Sequence, residues 1–190
     1  MKVKVLVIDN YDSFVFNLVH MIYNLGVEDI TVIKNDKISL EEIKIYDKIL
    51  LSPGPGIPKD SGSMPEIIKH WSPSKSILGV CLGHQAIAES FGATLKNLDE
   101  PLHGVASLVT IIQEKYLFEN CPKQFKIGHY HSWVVEEKTI SNHLEILAKD
   151  EKGNVMSIGH KIYDVTGLQF HPESVLTENG KQIIKNWIKQ

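Results

Sequence analysis

Arginine is missing from this chain of 190 residues: all twenty basic side chains are lysine, set against twenty-three Asp and Glu, for a formal net charge of −3. Without the planar guanidinium fork that reads guanine edges and clamps phosphates in bidentate fashion, and with a mildly acidic balance, nucleic acid is an unfavourable partner. Cysteine is almost missing too. Cys81 and Cys121 are too few for a disulfide framework and suit a reducing compartment, so each thiol needs its own explanation. No apolar run is long enough to cross a bilayer, and no charged start leads into an apolar stretch and a cleavage site. The expectation is a cytoplasmic protein with no membrane segment. A hydrophobic fraction of 43% over this length fits one compact domain across residues 1–190, and no repeat, low-complexity tract or linker interrupts it.

Strand-length apolar runs recur at 3–8, 29–33, 47–52 and 76–80. Between the first two, Phe14, Leu18, Met21, Ile22 and Leu25 share one helical stripe, opened by Asp12 or Ser13 and closed by Gly26. Strand, helix, strand implies a parallel sheet. The later runs at 105–112, 144–150, 154–160 and 164–170 follow one another without clear helices, which predicts an antiparallel extension. A closing helix places Ile183, Ile184, Trp187 and Ile188 on one face. The predicted class is α/β, an open mixed sheet with a parallel core, an antiparallel extension and flanking helices.

At the end of the fourth run stands Gly79-Val80-Cys81-Leu82-Gly83. This is the G-x-nucleophile-x-G pattern, in which a strand bends sharply into a helix and presents the central side chain at the sheet edge. The flanking glycines relieve crowding at the turn, and the helix N-terminus favours a thiolate. A buried structural cysteine is the competing reading. Cys121, in FENCPKQ, has none of these features and reads as structural.

A cysteine that attacks an acyl group needs a base, and the base needs an orienting group. LQFHPES supplies both: Pro172 forces His171 into extended backbone, and Glu173, two residues on, falls on the same side. Alone, this motif describes many surface histidines. Both elements follow strands, which places them at the carboxyl edge where open α/β sheets carry their sites. A third post-strand element, LSPGPG at 51–56, is a stiff loop whose glycines allow close approach of backbone, and the Gly54 amide can join that of Leu82 in an oxyanion hole. An ordinary Pro/Gly turn is the alternative.

Other tempting residues have simpler explanations. Asp9 and Asp12 resemble metal ligands, but Asp12 before an apolar helix reads as an N-cap. His129 and His131 suggest a zinc pair without a third ligand, so they are expected to face solvent or bond to backbone. His84 is expected to point away from the thiol. Trp71, Trp133 and Trp187 read as core or edge aromatics, with Trp133 also able to line a pocket.

In combination, G-x-C-x-G-x-Q, S-P-G-P-G and H-P-E resemble the triad-type class I glutamine amidotransferases. VIDNYDSFVFNL, with LHG at 102–104 and YHSWVV at 130–135, is similar to one branch, the glutaminase subunits of anthranilate synthase and aminodeoxychorismate synthase. The likeness runs from about residue 3 to 189. It implies Cys81 as nucleophile, His171 as general base and acid, and Glu173 as its orienter. L-glutamine would lie against Gly54, Pro55 and Gly56, with Leu82 at the oxyanion, Gln85 at the α-amino-acid end and the backbone of Ser132 and Trp133 completing the site. No metal or organic cofactor is implied in this subunit. Because ammonia must be received directly and the likeness uses nearly the whole chain, a separate chorismate-binding synthase subunit is expected, carrying Mg2+. Anthranilate is the leading product, and 4-amino-4-deoxychorismate the alternative. Weaker readings are a GMP or CTP synthetase glutaminase, a stand-alone γ-glutamyl hydrolase and a silent regulatory subunit. One departure concerns the partner: Val105 follows His103-Gly104 where this branch usually has lysine.

Overall fold

The computed structural model of the chain describes residues 3–190. Among them, nine strands form a single mixed sheet. The first part alternates strand and helix: β1 (Lys4–Asp9), α1 (Val15–Tyr23), β2 (Asp29–Lys34), β3 (Lys48–Leu51), α2 (Met64–Trp71), β4 (Ser76–Val80) and α3 (Leu82–Ser90). The second part is mostly strand: β5 (Leu95–Ile111), β6 (Gln124–Val135), β7 (Leu144–Asp150), β8 (Val155–His160) and β9 (Val165–Leu168), followed by α4 (Gly180–Lys189). The spatial order is β2-β1-β3-β4-β9-β8-β7-β5-β6.

The four early apolar runs match β1 to β4 within a residue at either end. Their side chains alternate between two cores. Val5 and Val7 of β1 pack on one face with Leu18 and Ile22 of α1 and with Ile183, Ile184 and Trp187 of α4. Leu6 and Ile8 pack on the other with Ile67 and Ile68 of α2 and Ile87 of α3. Strands buried on both faces, as β1, β3 and β4 are, lose their polar alternation and read as continuous apolar runs, while the edge strand β2 is half-buried throughout. Trp187 is fully buried and its indole N–H donates to Ser76 Oγ at 3.0 Å.

Two sequence readings need adjustment, and two elements were not read. The 164–170 run, expected in the antiparallel extension, is antiparallel only towards β8 and pairs in parallel with β4. It therefore completes the parallel core, through a pairing of distant segments that no local pattern displays. The helix expected to open at Asp12 or Ser13 starts at Val15, with Phe14 at its N-cap; the Asp12 carboxylate accepts the Phe14 N–H at 2.7 Å and so fastens the turn before the helix. Gly26 closes this region as expected, with φ at +92°. Strand β6 and helix α2 carried no clear signal. β6 interleaves Lys126, His129, Tyr130 and His131 with its apolar residues, and α2 is short.

Candidate active site

Three adjacent parallel strands, β3, β4 and β9, end side by side, and the residues that follow them meet at one edge of the sheet. β4 stops at Val80, and Cys81 takes φ 51° and ψ −100° before α3 begins at Leu82. That backbone region is costly for a residue with a side chain and persists only when its surroundings hold it. The Cys81 N–H donates to the Leu168 carbonyl at 2.7 Å, and the Cys81 carbonyl accepts from the Gln85 N–H at 3.0 Å. A Cβ on Gly79 would lie 2.4 Å from the Gly83 carbonyl carbon, and one on Gly83 would lie 2.4 Å from the Leu51 oxygen. The two glycines thus allow α3 to pack directly against β3 and β4.

His171 leaves the end of β9 and is held from both sides: its N–H donates to the Gly128 carbonyl at 3.2 Å, and the Thr177 hydroxyl donates to its carbonyl at 2.6 Å. Its Nδ1 lies 2.7 Å from Glu173 Oε1, with side-chain exposures of 2% and 0%, so this pair is shut off from solvent. Burial alone would lower the imidazolium pKa, but the Cys81 sulfur and the Glu173 carboxylate outweigh it and hold the pKa above its ordinary value. Nε2 makes no hydrogen bond, so the resting geometry leaves that nitrogen uncommitted beside the sulfur that influences it. The rings of Phe14 and Tyr130 stand edge-on to the imidazole at 5.5 and 4.9 Å.

The loop after β3 is clamped from β1. Asn10 donates its side-chain N–H to the Ser52 carbonyl at 2.8 Å and its backbone N–H to Ser52 Oγ at 2.9 Å, while its Oδ1 accepts from Asn35 at 2.9 Å. Gly54 fits so closely that a Cβ there would lie 2.5 Å from that of Asn10 and 2.8 Å from Leu82 Cδ2. Among the described residues, neither the Gly54 nor the Leu82 amide donates to a protein acceptor.

Of the residues singled out in the sequence, Gly54, Pro55, Gly56, Cys81, Gln85, Ser132 and Trp133 line one cleft of about 230 Å³; Leu82, His171 and Glu173 are not part of its lining. Gln85 Nε2 donates to the Trp133 carbonyl at 3.0 Å and to Gln169 Oε1 at 3.2 Å, which leaves Oε1 as the atom able to face a ligand. A nucleophilic sulfur, an oriented imidazole and two uncommitted amides beside an open cleft can together support acyl transfer through a thioester. A larger cavity of about 540 Å³ near the end of β5 is lined by Cys121 but contains no imidazole.

The sequence model for glutamine amidotransferase class-I spans residues 6–190. The chain belongs to the class-I glutamine amidotransferases. It is 43% identical over 187 residues to anthranilate synthase component 2 of Cyanophora paradoxa, covering 97% of both chains. It is 41% identical over 189 residues to aminodeoxychorismate synthase component 2 of Klebsiella aerogenes, covering 98% of this chain and all of that one. Among solved structures, a GMP synthase subunit from Thermoplasma acidophilum superposes with a TM-score of 0.89, at 26% identity, over all of this chain and 94% of that one.

The remaining candidates in this amidotransferase fall elsewhere. Asp9 is occupied by Lys34 at 2.6 Å and by the Tyr11 N–H at 2.7 Å. Among the described residues, no three His, Cys, Asp or Glu side chains converge as a metal site would require. Cys121 is half-buried, and burial pushes its thiol pKa up. His84 is fully buried against Gly167, and burial lowers its pKa to about 4. His129 departs from expectation: it neither faces solvent nor bonds to backbone, but is buried and bonded to Ser107 and His131. His131 does bond to backbone, at the Trp133 carbonyl. The sequence reading missed Asn10, Tyr130 and Gln169. Gln169 was within reach, since it follows directly on β9 at the same sheet edge as Cys81 and His171.

Proposed function

We propose that this amidotransferase is the glutaminase subunit of a chorismate-aminating synthase, with anthranilate as the product. The observation that supports it most is the Cys81 turn beside a buried His171–Glu173 pair, opening on a cleft lined by Gly54 and Gln85. The Cys81 thiolate attacks the side-chain carboxamide carbon of glutamine, and the amides of Leu82 and Gly54 receive the oxyanion. His171, its Nδ1 held by Glu173, donates the Nε2 proton to the departing ammonia. Water, deprotonated by the now neutral His171, then attacks the γ-glutamyl thioester; glutamate leaves and the sulfur returns to the thiolate. Gln85 and the Ser132–Trp133 backbone hold the amino-acid end.

Ammonia set free in neutral water is protonated and loses its nucleophilicity, so this half-reaction is useful only beside a second site. A separate subunit that binds chorismate, with Mg2+, would receive it, in a cytoplasmic complex where docking activates a glutaminase that is poor when alone. This chain's own steps call on no metal or organic cofactor. Val105, 43% exposed, would give that partner an apolar contact where the branch usually offers lysine. The second reading, 4-amino-4-deoxychorismate, is supported by a relative of that name only two percentage points less identical.

The test is to isolate the chain with whatever binds it in its own cells, supply glutamine and chorismate, and identify the aromatic amine. Anthranilate supports the main reading and 4-amino-4-deoxychorismate the second. A complex that aminates a nucleotide instead overturns both.

A further inference from the structure

A file of polar groups, buried at its histidines and glutamines and half-buried at Ser107, runs from β5 to the cleft, and its outer members Ser107, His129 and His131 take no part in the steps above. Ser107 Oγ lies 2.6 Å from His129 Nε2, His129 Nδ1 lies 3.0 Å from His131 Nε2, and His131 Nδ1 lies 3.1 Å from the Trp133 carbonyl oxygen. That carbonyl also accepts from Gln85 Nε2, which reaches Gln169 Oε1; Gln169 Nε2 in turn faces Cys81 Sγ at 3.7 Å. His131 borders the cleft, whereas Ser107 and His129 lie outside its lining.

The ends of the file set its direction. A carbonyl oxygen only accepts, so His131 Nδ1 carries the proton. Burial and the adjacent His129 imidazole push the His131 pKa down to about 3, which keeps it neutral and leaves Nε2 bare to accept. His129 Nδ1 must then be the donor. Burial lowers the His129 pKa as well, so its Nε2 is bare and accepts the Ser107 hydroxyl. With both rings neutral, one proton arrangement satisfies every contact, and both imidazoles adopt the Nδ1–H tautomer that free imidazole side chains disfavour.

We infer that Ser107 and His129 are positioning residues: through His131 they lock the Trp133 carbonyl and the Gln85 amide, and so fix the wall of the cleft that grips the amino-acid end of its substrate. The inference rests on the glutaminase reading and adds residues that never touch glutamine. Without His129, His131 Nε2 is left buried and unpaired, and the ring gains a reason to reverse its tautomer and release the Trp133 carbonyl. The loss falls on binding, because Cys81 and the two amides follow β3 and β4, and His171, although its N–H bonds to the Gly128 carbonyl of β6, has its ring oriented by Glu173.

The test uses the full chain with its synthase, a diazo-ketone analogue of glutamine that alkylates Cys81, and nitrogen NMR of labelled histidine. Both His129 and His131 should give the Nδ1–H pattern at neutral pH. His129→Leu should raise the half-saturating analogue concentration about tenfold and change the limiting alkylation rate less than about threefold. His129→Asn, whose side-chain N–H stands where Nδ1–H stood, should recover most of the affinity, and Ser107→Ala should cause a smaller rise. An Nε2–H tautomer at either histidine, an Asn variant as weak as the Leu variant, or a loss confined to the limiting rate overturns the inference. Should the Leu variant fail to fold, an unchanged half-saturating concentration in Ser107→Ala overturns it equally. A wild-type Cys81 that the analogue leaves untouched defeats the glutaminase reading and the positioning role with it, while the tautomers still report separately whether the file exists.

Discussion

The two halves of the sheet are built on different terms. In the parallel half, β3 is buried at every position and β1 at all but its first, because helices cover both faces. In the other half, β5 runs for seventeen residues mostly exposed, with bulges between Asn97 and Leu102 and between His103 and Val105. The groups to which the proposed chemistry is assigned, Cys81, His171 and the Gly54 loop, all follow strands of the first half. The opposite wall of the cleft, at Leu102 and His103 and at Tyr130 to Trp133, comes from the second. A rigid floor is thus paired with a wall whose stiffness comes from buried histidines. Damage to the floor should abolish chemistry, and damage to the wall should alter affinity.

The sharpest contrast is between the two cysteines. Cys81→Ala should eliminate glutamate release in the assembled synthase, whereas Cys121→Ala, beside a cavity that no histidine lines, should stay within about twofold of wild type. Next in size is Glu173→Gln, which keeps the shape but loses the charge that orients and stabilises the His171 imidazolium. Turnover should fall about 10²-fold or more, with circular dichroism unchanged.

A smaller effect separates two buried histidines of opposite sign. The pKa of His84 is lowered to about 4, and neither ring nitrogen makes a hydrogen bond. The unfolded chain takes up this proton from about pH 6.5 downwards and the folded chain does not, so stability should fall between about pH 6.5 and 4, by a contribution on the order of 3 kcal/mol. His84→Leu should flatten that part of a denaturation profile. His171, with its pKa raised, works the other way: its contribution is complete below about pH 6.5 and fades as pH climbs through its folded value. Smallest of all, Val105→Lys on the exposed strand should change the stability of the isolated chain by less than about 0.5 kcal/mol in thermal unfolding.

These contrasts also explain what could be read in advance. The parallel core was legible because two-sided burial writes uninterrupted apolar runs, and the Cys81 turn because crowding there admits only glycine on either side. His171 and Glu173 were legible as a pair but not for the reason read: Pro172 and Glu173 form a turn closed by the Ser174 N–H on the His171 carbonyl at 3.2 Å, and this turn rather than extended chain brings the carboxylate to the imidazole. The place of β9 was not, since its neighbour β4 lies more than eighty residues upstream and parallel pairing has no local mark. Strand β6 was hidden because its inward positions include histidines satisfied by one another, so polarity concealed burial. His129 was misjudged for the same reason: a histidine's partners lie in the fold, not in its neighbours along the chain.

The most direct test of the account follows the fate of Cys81 during turnover. Rapid acid quenching of the assembled enzyme with glutamine, followed by peptide mass spectrometry, should find a glutamyl group on the peptide that carries Cys81, none on that of Cys121, and none in Cys81→Ala, which should also be inactive. Continued glutamine hydrolysis by Cys81→Ala would contradict the account.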